Sequence, residues 1–564
     1  MFKKELINTG YLLWIIYCLY SCRQSAPFNN TTPAWYKNEF IYNLDVKTFK
    51  DSDGNGTGDF KGLTEQLDYL RSLGVTTLWL APFQPSPRQD DGYDVSDYYG
   101  IDPEVGDSTS FREFLEAAHR RQMRVIMDVV LNHSSIEHPW FRQSRDSSSP
   151  KHNWYLWSAR RPKDWDKGSG FPGVENETWT RDSVTGQYFF HRFYHFEPDL
   201  NFQNPEVVAA SRQILGYWLE KGVDGFRLDA VPFIIADPRK SAAHPEHDFD
   251  ILHQLVRSVK DRHPSAVLLG EANVTPAENE DYFSEAKDGL DMMFNFYVNQ
   301  YLFYAVASGN TKFLAEALDK TTRKPAVAQW AYFLRNHDEV DLGRLSRRQL
   351  QETYKELGPD TSMQLYGRGI RRRLAPMLGN NKQRLQMLYS LLFALPGTPV
   401  IRYGEEIGMG DTLVLKERLA IRTPMQWNNR KNGGFSIADS CIRPVISTGV
   451  YSYYNVNVAT QLQDSASLLN HIRRMVSLRK RFPMIGAGYW EIVNTHSPQT
   501  LTLRYTDKKS TLITCFNFSD KPVQLRLDLP RETKLTNLYT GRKNVAGNQA
   551  LALEPYGWRW YLLN

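Results

Sequence analysis

The chain has 564 residues, enough for roughly three to four domain-sized units and a large buried core. With 41% hydrophobic and 23% charged residues it is a folding chain and not a disordered one, and a formal charge of +5 over this length is too weak a field to argue for nucleic acid. Four cysteines exclude a disulfide scaffold, and the lack of any Cys-x-x-Cys or Cys/His cluster argues against structural zinc; Cys441 and Cys515 read as free thiols. Aromatic residues reach 13%, a content that suits stacking on sugar rings as well as a large core.

Residues 1–22 read as a targeting segment. Lys3 and Lys4 precede the apolar run Tyr11 to Leu19, which has the length of a signal-peptide core and is too short to span a bilayer. Leu19-Tyr20-Ser21-Cys22 resembles a bacterial lipobox, so the expectation is an exported lipoprotein anchored through Cys22, with no other membrane contact. A polar linker follows over 23–34.

From Phe40 onward, strand-like and helix-like segments alternate. Strand candidates are Phe40–Val46, Thr76–Leu80, Arg124–Leu131, Asp224–Ala230, Ala266–Gly270, Asp291–Asn295, Ala331–Arg335 and Pro399–Tyr403. Several are near-continuous apolar runs, the pattern of strands buried on both faces of a parallel sheet. Leu63, Leu67, Leu70 and Leu73 give one helix face over 63–73. Eight such units predict an α/β fold, a (β/α)8 TIM barrel over 35–133 and 206–474. The alternation breaks over 134–205, which reads as an inserted subdomain after the third strand. Helical signals fade after about 475, and period-two alternation in Thr500–Tyr505, Thr511–Phe516 and Val523–Leu529 predicts a C-terminal antiparallel β domain over 475–564.

Four strand candidates end in polar clusters: Asp128 to His133, Arg227-Leu228-Asp229, Gly270-Glu271-Ala272-Asn273 and Arg335-Asn336-His337-Asp338. Alternate residues of a strand share a face, so Arg227 sits beside Asp229 and is expected to hold it ionised, as a nucleophile requires. Glu271 follows an apolar strand with no arginine adjacent in sequence; a dry pocket would raise its pKa and suit it as a general acid. Two carboxyl groups in opposite protonation states at one barrel mouth meet the need of glycoside cleavage. Arg371-Arg372-Arg373 reads as a solvated or salt-bridged turn.

These four stretches resemble the conserved regions of the α-amylase family (glycoside hydrolase family 13). The resemblance covers nearly the whole chain beyond the linker. Within the family, the runs Leu63 to Pro82, Asp90 to Asp94, Gly369 to Pro376, Leu395 to Ile401, Gly404 to Gly410 and Arg422 to Trp427 are similar to the trehalose synthase (maltose α-D-glucosyltransferase) subgroup. The resemblance implies a nucleophile at Asp229, a general acid/base at Glu271 and a third, transition-state-stabilising carboxylate at Asp338. It implies that His133, Arg227 and His337 line the glucosyl subsite and that Tyr93 is its stacking platform. It also implies an Asp90–Arg422 ion pair closing the far end, so that only a terminal glucose enters. The substrates implied are short α-glucosides such as maltose, trehalose and small maltooligosaccharides. The alternatives are an exported α-glucosidase that mainly hydrolyses and a non-catalytic, sugar-binding or transporter-associated relative; the intact triad disfavours the latter.

Asp51-Ser52-Asp53-Gly54-Asn55-Gly56-Thr57-Gly58-Asp59 places oxygen ligands at alternate positions, but Gly62 stands where an EF-hand would carry its twelfth-position Glu. The resemblance implies structural Ca2+ here, held by Asp51, Asp53, Asn55, the Thr57 carbonyl and Asp59. It implies a second calcium at Asn132 and Asp199, although the supporting acid expected near 236 is Ala236. No organic cofactor is expected. Three positions depart from the subgroup. Glu197 replaces the Gln of Gln-Pro-Asp-Leu-Asn, Phe233 stands where Tyr is usual, and Gly343 where Glu is usual. The last two changes are expected to loosen the pocket and favour hydrolysis over transfer.

Overall fold

The computed structural model describes residues 34–563, apart from positions 242, 287, 528, 531–532 and 547–550. The targeting segment, Cys22 and nearly all of the linker therefore lie outside the described residues. Among the described residues no helix is long and apolar enough to cross a membrane.

Eight parallel strands close into a barrel: β1 (Ile41–Leu44), β2 (Thr77–Leu80), β3 (Arg124–Val129), β4 (Gly225–Leu228), β5 (Val267–Gly270), β6 (Met292–Phe294), β7 (Gln329–Phe333) and β8 (Thr398–Arg402). Each pairs with its neighbours in chain order, and β8 returns to β1 through Ile41↔Val400 and Asn43↔Arg402. Nearly every strand position is buried, because the barrel interior covers one face and the helices cover the other. The first six strands are shorter than the expected runs, while β7 and β8 keep the expected length but begin two residues and one residue earlier. The strands end at the C-terminal mouth, with Asp229 and Glu271 one residue beyond β4 and β5 and Asp338 five residues beyond β7.

Gly225 opens β4 at φ +152°, and a Cβ there would stand 2.2 Å from the Val267 carbonyl oxygen. Only glycine lets β4 approach β5 this closely, and that approach sets Asp229 beside Glu271. The expected helix over 63–73 is two helices, Phe60–Glu65 and Leu67–Leu73, meeting at Gln66.

The segment after β3 contains a three-stranded antiparallel sheet of Trp157–Ser158, Trp179–Arg181 and Tyr188–Phe190. It packs small aromatic clusters, one of them Leu156, Trp179 and Phe190. The helix Leu468–Arg481 runs past residue 474, so helical structure continues to 481, with a further short helix at Met484–Ala487. Beyond it an antiparallel sheet begins at Tyr489, with its longest strands at Thr500–Thr506 and Thr511–Asn517.

Candidate active site

A cavity of about 440 Å³ opens at the C-terminal mouth of the barrel, lined by Asp90, Tyr93, His133, Asp229, Glu271, His337 and Asp338 among others. Seven side chains named from the sequence thus share one hollow. The other two, Arg227 and Arg422, do not line it and are 1% and 2% exposed.

Arg227 organises the floor. Its Nη1 donates to Asp128 Oδ1 at 2.6 Å and to Asp229 Oδ1 at 2.5 Å, while Nη2 lies 2.8 Å from Glu271 Oε2. Glu271 therefore does have an arginine partner, one that arrives from β4 across the β4–β5 pairing and not from its own strand. Ala230, left-handed at φ +50°, turns its N–H onto Glu271 Oε2 at 3.1 Å. A non-glycine residue in that region stores strain, here where the chain leaves β4 for the helix Val231–Ile234.

Burial pushes Glu271 up to about 8, against the pull of Arg227 and with help from the neighbouring Asp229 charge. Burial also pushes Asp229 up to about 6, again opposed by Arg227. Arg227 does not bring Asp229 below its ordinary range, because its one positive charge is divided among three carboxylates and does not overcome their desolvation; at about 6 the carboxyl is nevertheless mostly ionised at neutral pH, as a nucleophile requires. The order of the pair survives, with Asp229 losing its proton before Glu271.

Asp338 behaves oppositely. Burial raises it, but His337, Arg418 and Arg422 outweigh burial and hold it well below the usual range. Burial pulls His337 itself down to about 3, so at neutral pH that ring is uncharged. The charge that keeps Asp338 ionised must then come from Arg418, at 2.9 Å, and Arg422, at 3.1 Å. Tyr93 stacks on His337 with centroids 5.3 Å apart and an interplanar angle of 8°, and its hydroxyl lies 2.6 Å from His337 Nε2.

The expected Asp90–Arg422 pair does not form. Asp90 is bound at both oxygens by Arg418 Nη2, at 2.6 and 2.8 Å. Arg422 turns inward to Asp91 Oδ2 at 3.0 Å and to the His337 carbonyl at 2.9 Å. Asp91 collects Lys47, Arg422 and Arg443, so Arg422 is committed before it can reach Asp90. Arg418 was missed by sequence reasoning. The signal available was its four-residue spacing from Arg422, which sets the two arginines near the start and at the end of the short 3-10 helix Glu417–Ile421.

His133 Nε2 and Glu197 Oε1 face each other at 3.9 Å, both buried and neither with a hydrogen-bond partner. Burial holds His133 near 3 and raises Glu197 well above the carboxylate range. Phe233 lines the cavity wall edge-on to Phe193, and its ring lies 4.7 Å from the Arg192 guanidinium. At Gly343 a Cβ would meet Arg368 Cδ at 3.0 Å and Asp341 Oδ1 at 3.1 Å, and both Asp341 and Arg368 line the cavity. An acid two residues earlier thus occupies the region of the missing Glu.

Asp51, Asp53 and Asp59 each bring a carboxylate oxygen within 4.8 Å of the others. Their all-oxygen set, joined by Asn55, fits a hard cation such as calcium. Asn132 hydrogen-bonds Asp199, but Ala236 offers no ligand and Asp237 turns to Arg239 at 2.9 Å. That pair has a single carboxylate and the buried Arg192 charge nearby, a poorer fit for a divalent ion.

The model of the α-amylase catalytic domain matches residues 40–365 and 347–488. A trehalose synthase of Pimelobacter sp. is 40% identical over 88% of this chain and 89% of that one. The trehalose synthase/amylase TreS of Mycobacterium tuberculosis is 38% identical over 94% of this chain and 90% of that one. Among solved structures, Bacillus licheniformis trehalose-6-phosphate hydrolase superposes with a TM-score of 0.77 at 25% identity, covering 94% of this chain and 99% of that one. The chain belongs to the α-amylase family.

Proposed function

We propose that this protein is a retaining enzyme that removes the terminal α-glucosyl unit of maltose-like disaccharides and passes it to glucose, giving trehalose, or to water. The observation that carries the reading is the Arg227 guanidinium spanning Asp229 and Glu271 at the floor of the cavity. One guanidinium between the two carboxyls fits the separation of about 5–5.5 Å used in retention better than the wider gap of inversion. The likeness to proteins named trehalose synthase favours glucosyl transfer over simple hydrolysis.

In this reading the Asp229 carboxylate attacks the anomeric carbon while Glu271 gives its proton to the departing glycosidic oxygen. That leaves a glucosyl ester on Asp229 and an ionised Glu271. Glu271 then takes the proton of the incoming hydroxyl as its oxygen displaces the ester, and both carboxyls return to their starting states. Asp338, held charged by Arg418 and Arg422, supplies negative charge where the ring becomes cationic. The Asp90–Arg418 pair closes the end of the cavity and selects a terminal glucose.

Incubating the purified protein with maltose, and resolving trehalose from glucose over time, tests the proposal. Trehalose with some glucose is expected, and unchanged maltose would refute it. The second reading, mainly hydrolysis, is favoured by Phe233, which gives the cavity wall no hydroxyl to hold the free glucose. Calcium at the loop over 51–59 is proposed as structural, consistent with its oxygen set. Export and lipid attachment at Cys22 are proposed from the lipobox-like run; fatty-acid labelling that survives Cys22→Ala would exclude that attachment.

A further inference from the structure

A second hollow, of about 610 Å³, lies apart from the catalytic carboxyls, where residues 150–157 of the inserted segment meet residues 201–206. Its volume falls within the roughly 300–1,000 Å³ of small-molecule sites. His152, Asn153 and Trp157 line it from one segment, and Gln203 and Glu206 from the other. Arg239 lines it as well. That arginine belongs to the hairpin formed by Ala236–Asp237 and Glu246–His247, whose second arm brings Pro245 and His247 to the wall of the catalytic cavity.

The hollow is built before any ligand arrives. The side chains of Asn201 and Asn204 donate to the Asn153 carbonyl at 3.0 and 3.2 Å and tie the two segments together. His152 Nδ1 lies 2.7 Å from the Ser144 carbonyl, and the Trp157 indole donates to Ser144 Oγ at 3.3 Å. Those bonds hold the two rings parallel within 10°, with centroids 6.1 Å apart. What remains is a set of unspent polar groups. Among the described residues the side-chain amides of Asn153 and Gln203 make no hydrogen bond, and Gln203 Nε2 is buried without a partner. The Glu206 carboxylate accepts only at Oε2, from the Trp154 indole at 2.8 Å. The Arg239 charge is already matched by Asp237, at 2.9 and 3.1 Å.

Each side-chain amide offers donors and an acceptor, so the unspent groups are mixed in kind and carry little net charge. Such a set suits neither an ion nor an apolar molecule. It suits hydroxyl groups, which donate and accept at once, while the flat rings of Trp157 and His152 suit the C–H face of a pyranose. We propose that this hollow is an accessory site for a neutral oligosaccharide of the α-glucan class, which it holds without cleaving. The choice of an α-glucan among neutral sugars rests on the reading of the catalytic site; the polar lining does not. Asp229, Glu271 and Asp338 all line the other cavity, so a sugar held here is not a substrate in place. Because Arg239 and His247 belong to one hairpin, the bound sugar would touch the same element that walls the catalytic mouth.

The test uses the full chain carrying Asp229→Asn, which stops turnover, in calorimetric titration with maltoheptaose. Two equivalents per chain are expected. Adding Asn153→Ala and Gln203→Ala should remove one of them, and the fold keeps its bonds because neither side chain has a partner in the protein. If only one equivalent binds and these two changes abolish it, the reading of the catalytic site fails while the accessory site stands. A titration that the two changes leave as it was, whether at two equivalents, one or none, overturns the proposal. Should the altered chain not fold, crystals of the Asp229→Asn chain grown with maltoheptaose decide the matter. Sugar against Asn153 and Trp157 is then expected, and a hollow without sugar overturns the proposal.

Discussion

Arg418→Ala is the most informative single change, because this side chain serves two carboxylates at once. It holds Asp90 at 2.6 and 2.8 Å and Asp338 at 2.9 Å from a site only 8% exposed. Without it Asp338 retains Arg422 at 3.1 Å, while Asp90 loses its hydrogen-bonded cation and keeps only the more distant charge of Arg422. A buried ion pair broken on one side costs about 3–5 kcal/mol when the remaining charge is trapped. Asp90 has an escape, since burial already places it near 6 and loss of the arginine lets it take a proton at neutral pH. The loss in transition-state binding should therefore lie near that of one charge-assisted hydrogen bond, about 2–3 kcal/mol, or roughly 30- to 150-fold in kcat/KM on maltose. The deficit should also depend on pH. Asp338 loses part of the charge that keeps it ionised, so its pKa rises and the variant should fall furthest behind in acid and recover toward alkaline pH. Arg418→Lys restores the charge without the fork, and should recover the acid limb while KM stays raised. The assay is kcat/KM on maltose from pH 5 to 9 for all three proteins. If Arg418→Ala stays within threefold of wild type, or loses the same factor at every pH, the assignment of Arg418 fails.

With Asp229 ionising near 6 and Glu271 near 8, kcat/KM should rise through about pH 6 and fall through about pH 8, as macroscopic values of the pair; a flat profile over that range would exclude the assigned roles. Glu271 has a folded pKa above its unfolded value, so its protonation stabilises the fold fully below about 4.5, and that benefit disappears as pH rises through about 8. Glu271→Gln should then be inactive, equal to wild type in Tm near pH 4.5 and a few degrees higher near pH 9. Phe233→Tyr should raise the trehalose-to-glucose ratio from maltose, and an unchanged ratio would show that this wall does not gate water. Chelation of calcium should lower Tm by several degrees, and Asp53→Ala should remove that sensitivity; equal Tm with and without chelator would argue against a bound ion.

The barrel was legible because its strands are buried on two faces and so read as unbroken apolar runs, Val267-Leu268-Leu269 being the plainest. The strands of the inserted segment are only two or three residues long, too short for any period to emerge. The helix Leu468–Arg481 does carry its pattern in Leu468, Leu469, Ile472, Met475 and Val476, but its last turn, Arg479-Lys480-Arg481, masks the end. Asp229 and Glu271 were legible because each follows its strand directly, and Asp338 because it closes the polar run Arg335 to Asp338 after β7. Arg418 was not, because it reaches Asp90 from 328 residues away, and its spacing from Arg422, the one local signal, does not say which of the two arginines meets which acid.

The contrast between Arg227 and Arg418 shows which part of the electrostatics a sequence carries. Adjacency along β4 correctly pairs Arg227 with Asp229, yet the protonation that results depends on how many other acids share that cation. Arg227 is divided among Asp128, Asp229 and Glu271, and burial prevails at all three. Asp338 draws on two arginines and is held low. The charges at this barrel mouth are therefore set by the ratio of guanidiniums to carboxylates at each point. That ratio is a property of the closed barrel, because it is fixed only when the loops after β2, β4, β5, β7 and β8 meet.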